Sequence, residues 1–119
     1  MNNIQSHKDL KVWQESMTLV TEIYKISEDF PKHEIYGLSS QIRRAAVSIA
    51  SNIAEGAGRK GNKEFSRFLY IALGSLSEVE TQLEISQRLN YSSDIEDENK
   101  RIYFIRKMLA NLIKSINKP

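Results

Sequence analysis

Residues 38–58 read LSSQIRRAAVSIASNIAEGAG, and the fold turns on how little side-chain bulk this stretch carries. Ala46, Ala50 and Ala54 recur every four residues and so fall on one face of a helix. Leu38, Ile42, Ala45, Ile49 and Asn52 step at 4, 3, 4 and 3, a second, heptad-like seam. Ala57 and Gly58 continue the small-residue theme. A helix trimmed in this way lets neighbouring backbones approach closely on two sides. That places it at the centre of the packing.

On its C-terminal side, GAGRKGN (residues 56–62) is the clearest loop, with Asn62 expected to cap the next helix. There Phe65, Leu69, Ala72, Leu76, Val79, Leu83 and Ser86 form an unbroken heptad seam, suited to shallow crossing angles. Asn90 to Ser93 is a turn, and Ser93 with Glu96 has capping-box spacing. Ile95, Ile102, Ile105, Leu109, Leu112 and Ile116 continue the spacing to the C-terminus, broken only at Glu98. On the N-terminal side, Ser6 and Asp9 suggest a helix start, and Leu10, Trp13, Met17, Val20 and Tyr24 make one seam. Val12, Leu19, Ile23 and Ile26 lie beside it. Phe30-Pro31 ends this helix, because the residue before proline is pushed out of the α region.

The expectation is one all-α domain over residues 1–119, an antiparallel up-down four-helix bundle. Its helices span about 8–28, 38–57, 63–89 and 94–116, and such rods are roughly 30 Å long. A chain of 119 residues buries enough surface for a core without metals or crosslinks. It has no cysteine, so thiolate chemistry is excluded, which suits a reducing cytosol. MNNIQSHKDLKVW has no apolar run resembling a signal peptide, and no segment has the apolar length of a membrane span. Apolar residues remain after one seam per helix is spent. Phe68, Ile71, Ile85, Phe104 and Met108 are candidates for a subunit interface.

A net charge of +2 is too small to argue for a polyanionic partner, but its distribution is uneven. In an up-down bundle one end collects Lys8, Lys11, Arg59, Lys60, Lys63, Arg67, Lys114 and Lys118 against Asp9, Glu55 and Glu64. The other collects Glu28, Asp29, Glu84, Asp94, Glu96, Asp97 and Glu98 against Lys25, Lys32 and Arg88. Much of this complements the helix dipoles. Lys63 and Arg67 do not, since bases at the start of a helix oppose its dipole; either a partner anion or tolerance at an exposed site accounts for them. On the first reading Arg59, Lys60, Lys63, Arg67, Lys114 and Lys118, gathered at the basic end, are candidate nucleic-acid contacts, directed at the phosphate backbone and sensitive to salt.

Signs of catalysis are missing. His7 and His33 lie at opposite ends, and no Glu-x-x-His pair supports a di-iron bundle. Glu80 and Glu84, one helical turn apart, are expected to pair with Arg43 and Arg44 rather than hold a metal. Asn52 and Glu55, on a largely apolar helix, are expected to fix register. No active site, cofactor or metal is expected.

LKVWQESMTLVTEIYKISEDFP (10–31), EIYGLSSQIRRAAVSIASNIAEGAGR (34–59) and EFSRFLYIALGSLSEVETQLEIS (64–86) resemble the proteins encoded in intervening sequences of bacterial 23S rRNA genes, also called the S23 family. The likeness runs from Leu10 to about Tyr91, with the last helix alike only in pattern. Ala50 stands where that family commonly has proline, so the second helix should be straighter. The resemblance implies a cytoplasmic bacterial bundle and, as in similar members, a homopentameric ring. A related branch, the accessory proteins of diversity-generating retroelements, binds nucleic acid and a reverse transcriptase. Two functions are weighed. One is a non-enzymatic oligomer that binds nucleic acid, structured RNA above all, through its basic end. The other is a protein-interaction scaffold that assists a partner enzyme such as a reverse transcriptase.

Overall fold

The computed structural model describes residues 6–118. Its helices are α1 (Lys11–Glu28), α2 (Leu38–Ala57), α3 (Asn62–Arg88) and α4 (Glu96–Ile116), with 3-10 turns at His7–Asp9 and Lys32–Glu34. Each helix packs on its neighbours in the order α1–α2–α3–α4, and α4 closes back on α1. All four contacts are antiparallel: Arg43 meets Ser27, Ser48 meets Ser75, Arg106 meets Glu80 and Arg101 meets Glu22. The described residues measure 48 × 24 × 19 Å, longer than the expected rod because α3 has 27 residues, about 40 Å at helical rise.

The core is the apolar stripe of each helix. The α3 seam is buried throughout, from Phe65 to Ser86, and so are Leu38, Ile42, Ala45 and Ile49 on α2. The α2–α3 contact is the most extensive, as the small residues of α2 suggested. Gly56 is the tightest point: a Cβ there would lie 2.8 Å from Phe68 Cβ and 3.0 Å from Phe65 Cδ1.

On the first helix the second of the two expected apolar lines, not the first, faces the core. Its buried line is Val12, Ser16, Leu19, Ile23 and Ser27, while Met17 and Tyr24 are at the surface. Ser16 and Ser27 enter the core because their hydroxyls donate to the carbonyls of Val12 and Ile23, each at 2.7 Å. A serine satisfied within its own helix packs as a small residue. On α4, Ile113 takes the buried place expected of Leu112, which is only half-buried.

The helix starts also differ. Ser6 accepts from Lys8 N at 3.0 Å and caps the turn at His7–Asp9, not α1; Leu10 then adopts extended backbone, and α1 begins at Lys11. Asn62 is the first residue of α3, preceded by Gly61 at φ 85°. At the start of α4, Asp94 Oδ1 rather than Ser93 accepts from Glu96 N, at 3.1 Å.

Candidate nucleic-acid interface

Four helix ends meet at one pole. Asn62 Nδ2 donates to the Ile116 carbonyl at 2.9 Å, and Asn117 Nδ2 donates to Ser66 Oγ at 3.2 Å. This pair of bonds fastens the start of α3 to the end of α4, so Lys63 and Lys118 lie at the same pole. Gly56 lies against Phe65 and Phe68, which brings the end of α2 there too. Antiparallel packing adds Lys8 and Lys11 at the start of α1.

The arginines of this pole are already engaged. Arg59 Nη2 donates to Glu55 Oε2 at 2.9 Å, and Arg67 donates through Nε and Nη2 to Glu64 at 3.1 and 3.2 Å. Both guanidiniums lie over the Phe68 ring, 5.2 and 4.5 Å from its centroid. The hydrogen bond from Arg67 holds the Glu64 carboxyl below the usual carboxylate range and raises Arg67. Glu64 thus explains why α3 tolerates Arg67 near its start. Lys60, Lys63, Lys114 and Lys118 are exposed, and among the described residues none of them forms an ion pair. These lysines carry the positive potential of the pole.

The other predicted residues fall elsewhere. Phe68 is only 8% exposed beneath Arg59 and Arg67, so it belongs to the core and not to an outer face. Met108 is half-buried, whereas Ile71, Ile85 and Phe104 are exposed. Arg43 does not reach Glu80 or Glu84. Its Nε donates to Ser27 Oγ at 2.7 Å and its Nη2 to the Tyr24 carbonyl at 3.2 Å, which places it on the last turns of α1. Glu80 pairs instead with Arg106, and Glu84 with Arg88 four residues on. Arg44 lines a groove of about 380 Å³ between α2 and α3, with Gln41, Ser48, Glu78 and Gln82. Asn52 is half-buried and donates to Ser48 in its own helix. Glu55 is half-exposed in its pair with Arg59, too far out to set core register.

Two polar clusters had no signal in the sequence. At the opposite pole, Tyr91 OH donates to Glu34 Oε2 at 2.9 Å while Leu38 N donates to Glu34 Oε1 at 3.0 Å. The bond from Leu38, and then that from Tyr91, lowers the Glu34 carboxyl below its usual range; the same bond to Glu34 raises Tyr91. Between α1 and α4, Arg101 bridges Glu15 and Glu22 and is raised by its hydrogen bond to Glu22. Nearby Glu98 is pushed up, first by burial and then by Glu22, Asp97 and Asp94. Among the described residues, no group of three or more His, Asp or Glu side chains is placed to hold a metal ion. No helix among them is long and apolar enough to cross a membrane.

The family model described as 23S rRNA-intervening sequence protein matches residues 8–111. A solved structure from Bacteroides thetaiotaomicron VPI-5482, described as a protein with unknown function from the S23 ribosomal protein family, is similar at 28% identity. Its TM-score is 0.80, and the alignment covers 87% of this chain and 98% of that one. No curated protein matches. The small-residue α2, the heptad α3 and the match across most of the chain converge on one conclusion: this protein belongs to the 23S rRNA-intervening sequence protein family.

Proposed function

We propose that the protein is a non-enzymatic oligomer that binds structured RNA through its basic pole. One observation carries the reading. Lys60, Lys63, Lys114 and Lys118 converge on a single end of the bundle, exposed and free of ion pairs, although the chain's net charge is only +2. Lysines so placed contact phosphates without reading base edges. Several copies in one assembly then turn weak sites into useful affinity.

The test measures binding of a labelled RNA hairpin against salt for the wild type and for a Lys60→Glu, Lys63→Glu, Lys118→Glu variant. These lysines are chosen because, unlike Arg59 and Arg67, they are not needed to cover Phe68. Affinity should fall steeply with salt, and the variant's salt slope should shrink by about one for each phosphate it no longer reaches. Unchanged affinity, or a flat slope for the wild type, refutes the proposal. Native mass spectrometry of the same samples reads the copy number.

A further inference from the structure

The acidic pole carries a feature that RNA binding leaves unused. Tyr36 is 93% exposed and Ile35 61% exposed, and Leu89 at the same end is 50% exposed. A tyrosine this far out contributes nothing to the core, yet buried aromatics concentrate binding energy in complexes.

The loop bearing Tyr36 is held firmly. Glu34 N donates to the Pro31 carbonyl at 2.9 Å, Ile35 N to that of Lys32 at 3.1 Å and Gly37 N to that of Glu34 at 2.9 Å. The Glu34 side chain is fixed in turn by Leu38 N and Tyr91 OH. A Cβ on Gly37 would lie 2.6 Å from Glu34 Oε1, so glycine leaves that carboxylate in place. The backbone that carries Ile35 and Tyr36 is thus ordered before a partner arrives, which lowers the entropic cost of binding.

Charge selects the partner. Glu28 and Asp29 are exposed at the C-terminal end of α1, where the helix dipole disfavours acids. Asp94, Glu96 and Asp97 are exposed around the start of α4. Of the bases at this end, Arg88 is already paired with Glu84, and Lys25 and Lys32, both exposed, are outnumbered by these five acids. Such a surface repels a phosphate backbone and attracts lysine and arginine. We infer that the acidic pole docks a cationic segment of a protein partner. The segment's apolar side chains cover Ile35 and Tyr36, and its bases meet Glu28, Asp29 and Asp94.

A display library of short random peptides, selected on the wild-type protein and counter-selected on a Tyr36→Ala variant, tests this. Enriched peptides should be cationic and carry aromatic or aliphatic residues. Their affinity should fall about tenfold or more with Tyr36→Ala and with Glu28→Lys plus Asp29→Lys, and should weaken with salt. Because Tyr36 is almost wholly exposed, the variant should melt like the wild type and bind the RNA hairpin equally well. Neutral or acidic peptides, equal binding by Tyr36→Ala, or no enrichment would each overturn the inference. So would Tyr36-dependent self-association, which would make a second copy the occupant.

Discussion

Gly56→Ala and Gly74→Ala make the same chemical change inside two helices, and the structure gives them opposite signs. Replacing an interior helical glycine with alanine stabilises by about 0.5–1 kcal/mol through backbone entropy. At Gly74 nothing lies within 4 Å of the added methyl, so that gain should appear in full. At Gly56 the methyl would stand 2.8 Å from Phe68 Cβ, 3.0 Å from Phe65 Cδ1 and 3.3 Å from the Phe65 carbonyl oxygen. Carbon atoms rest at about 3.5–4.0 Å. Phe68 Cβ is tied to the α3 backbone, so α3 must retreat by roughly 0.7 Å or more. Overpacking of this kind costs about 1–3 kcal/mol. Set against the propensity gain, the net destabilisation should be between about 0 and about 2.5 kcal/mol. Urea denaturation of the two variants measures the contrast directly, provided the slopes with denaturant agree. In a domain of this size each kcal/mol also moves Tm by about 4 °C. If Gly56→Ala proved as stable as Gly74→Ala, close approach of α2 and α3 would not be what the glycine serves.

Two further predictions concern polar groups. Ser16→Ala should change stability by less than about 0.5 kcal/mol, because its hydroxyl serves only its own helix. Ser27→Ala should cost about 1–2 kcal/mol, because it strips Arg43 Nε of its acceptor; equal effects in urea titrations would contradict that contrast. For Glu98 the folded-state pKa is raised, so the folded protein binds that proton more tightly than the unfolded chain. Its contribution to stability is present at low pH and is lost as pH rises through the raised folded value. Glu98→Gln should therefore melt above the wild type at about pH 7, with the gap closing near about pH 4. Glu34, lowered by Leu38 and Tyr91, runs the other way: its contribution holds above the ordinary carboxylate range and fades as pH falls through the folded value. A Glu98→Gln gap that stayed constant across pH would remove the electrostatic explanation.

What could be read in the sequence follows from which forces leave a periodic trace. The α3 seam and the close approach of α2 were legible because apolar and small residues repeat at helical spacing. On α1 the line through Val12, Leu19 and Ile23 was legible, but Ser16 and Ser27, which complete it, count as polar in any pattern, yet satisfy themselves against their own backbone. Clustering of lysines at one pole was legible from connectivity alone, since an up-down bundle fixes which helix ends meet. The partners of individual charges were not. Arg43 went to the end of α1 rather than to α3, and Arg67 pairs with Glu64 three residues before it. Those choices depend on side-chain reach across a groove, which no spacing rule encodes. The Tyr91–Glu34 contact joins two loops 57 positions apart and leaves no local signature.

The α2–α3 pairing, tightened at Gly56 and bridged by the Ser48–Ser75 hydroxyls, joins segments separated by a short loop. Forming it costs little loop-closure entropy, so this hairpin is the natural nucleus for the chain to condense upon. The outer helices add later, and α1 must find α4 across the full sequence before Arg101 can clasp it. Amide protons along α2 and α3 should be the last to exchange with solvent, while α1 peels away in a separate, lower-energy opening.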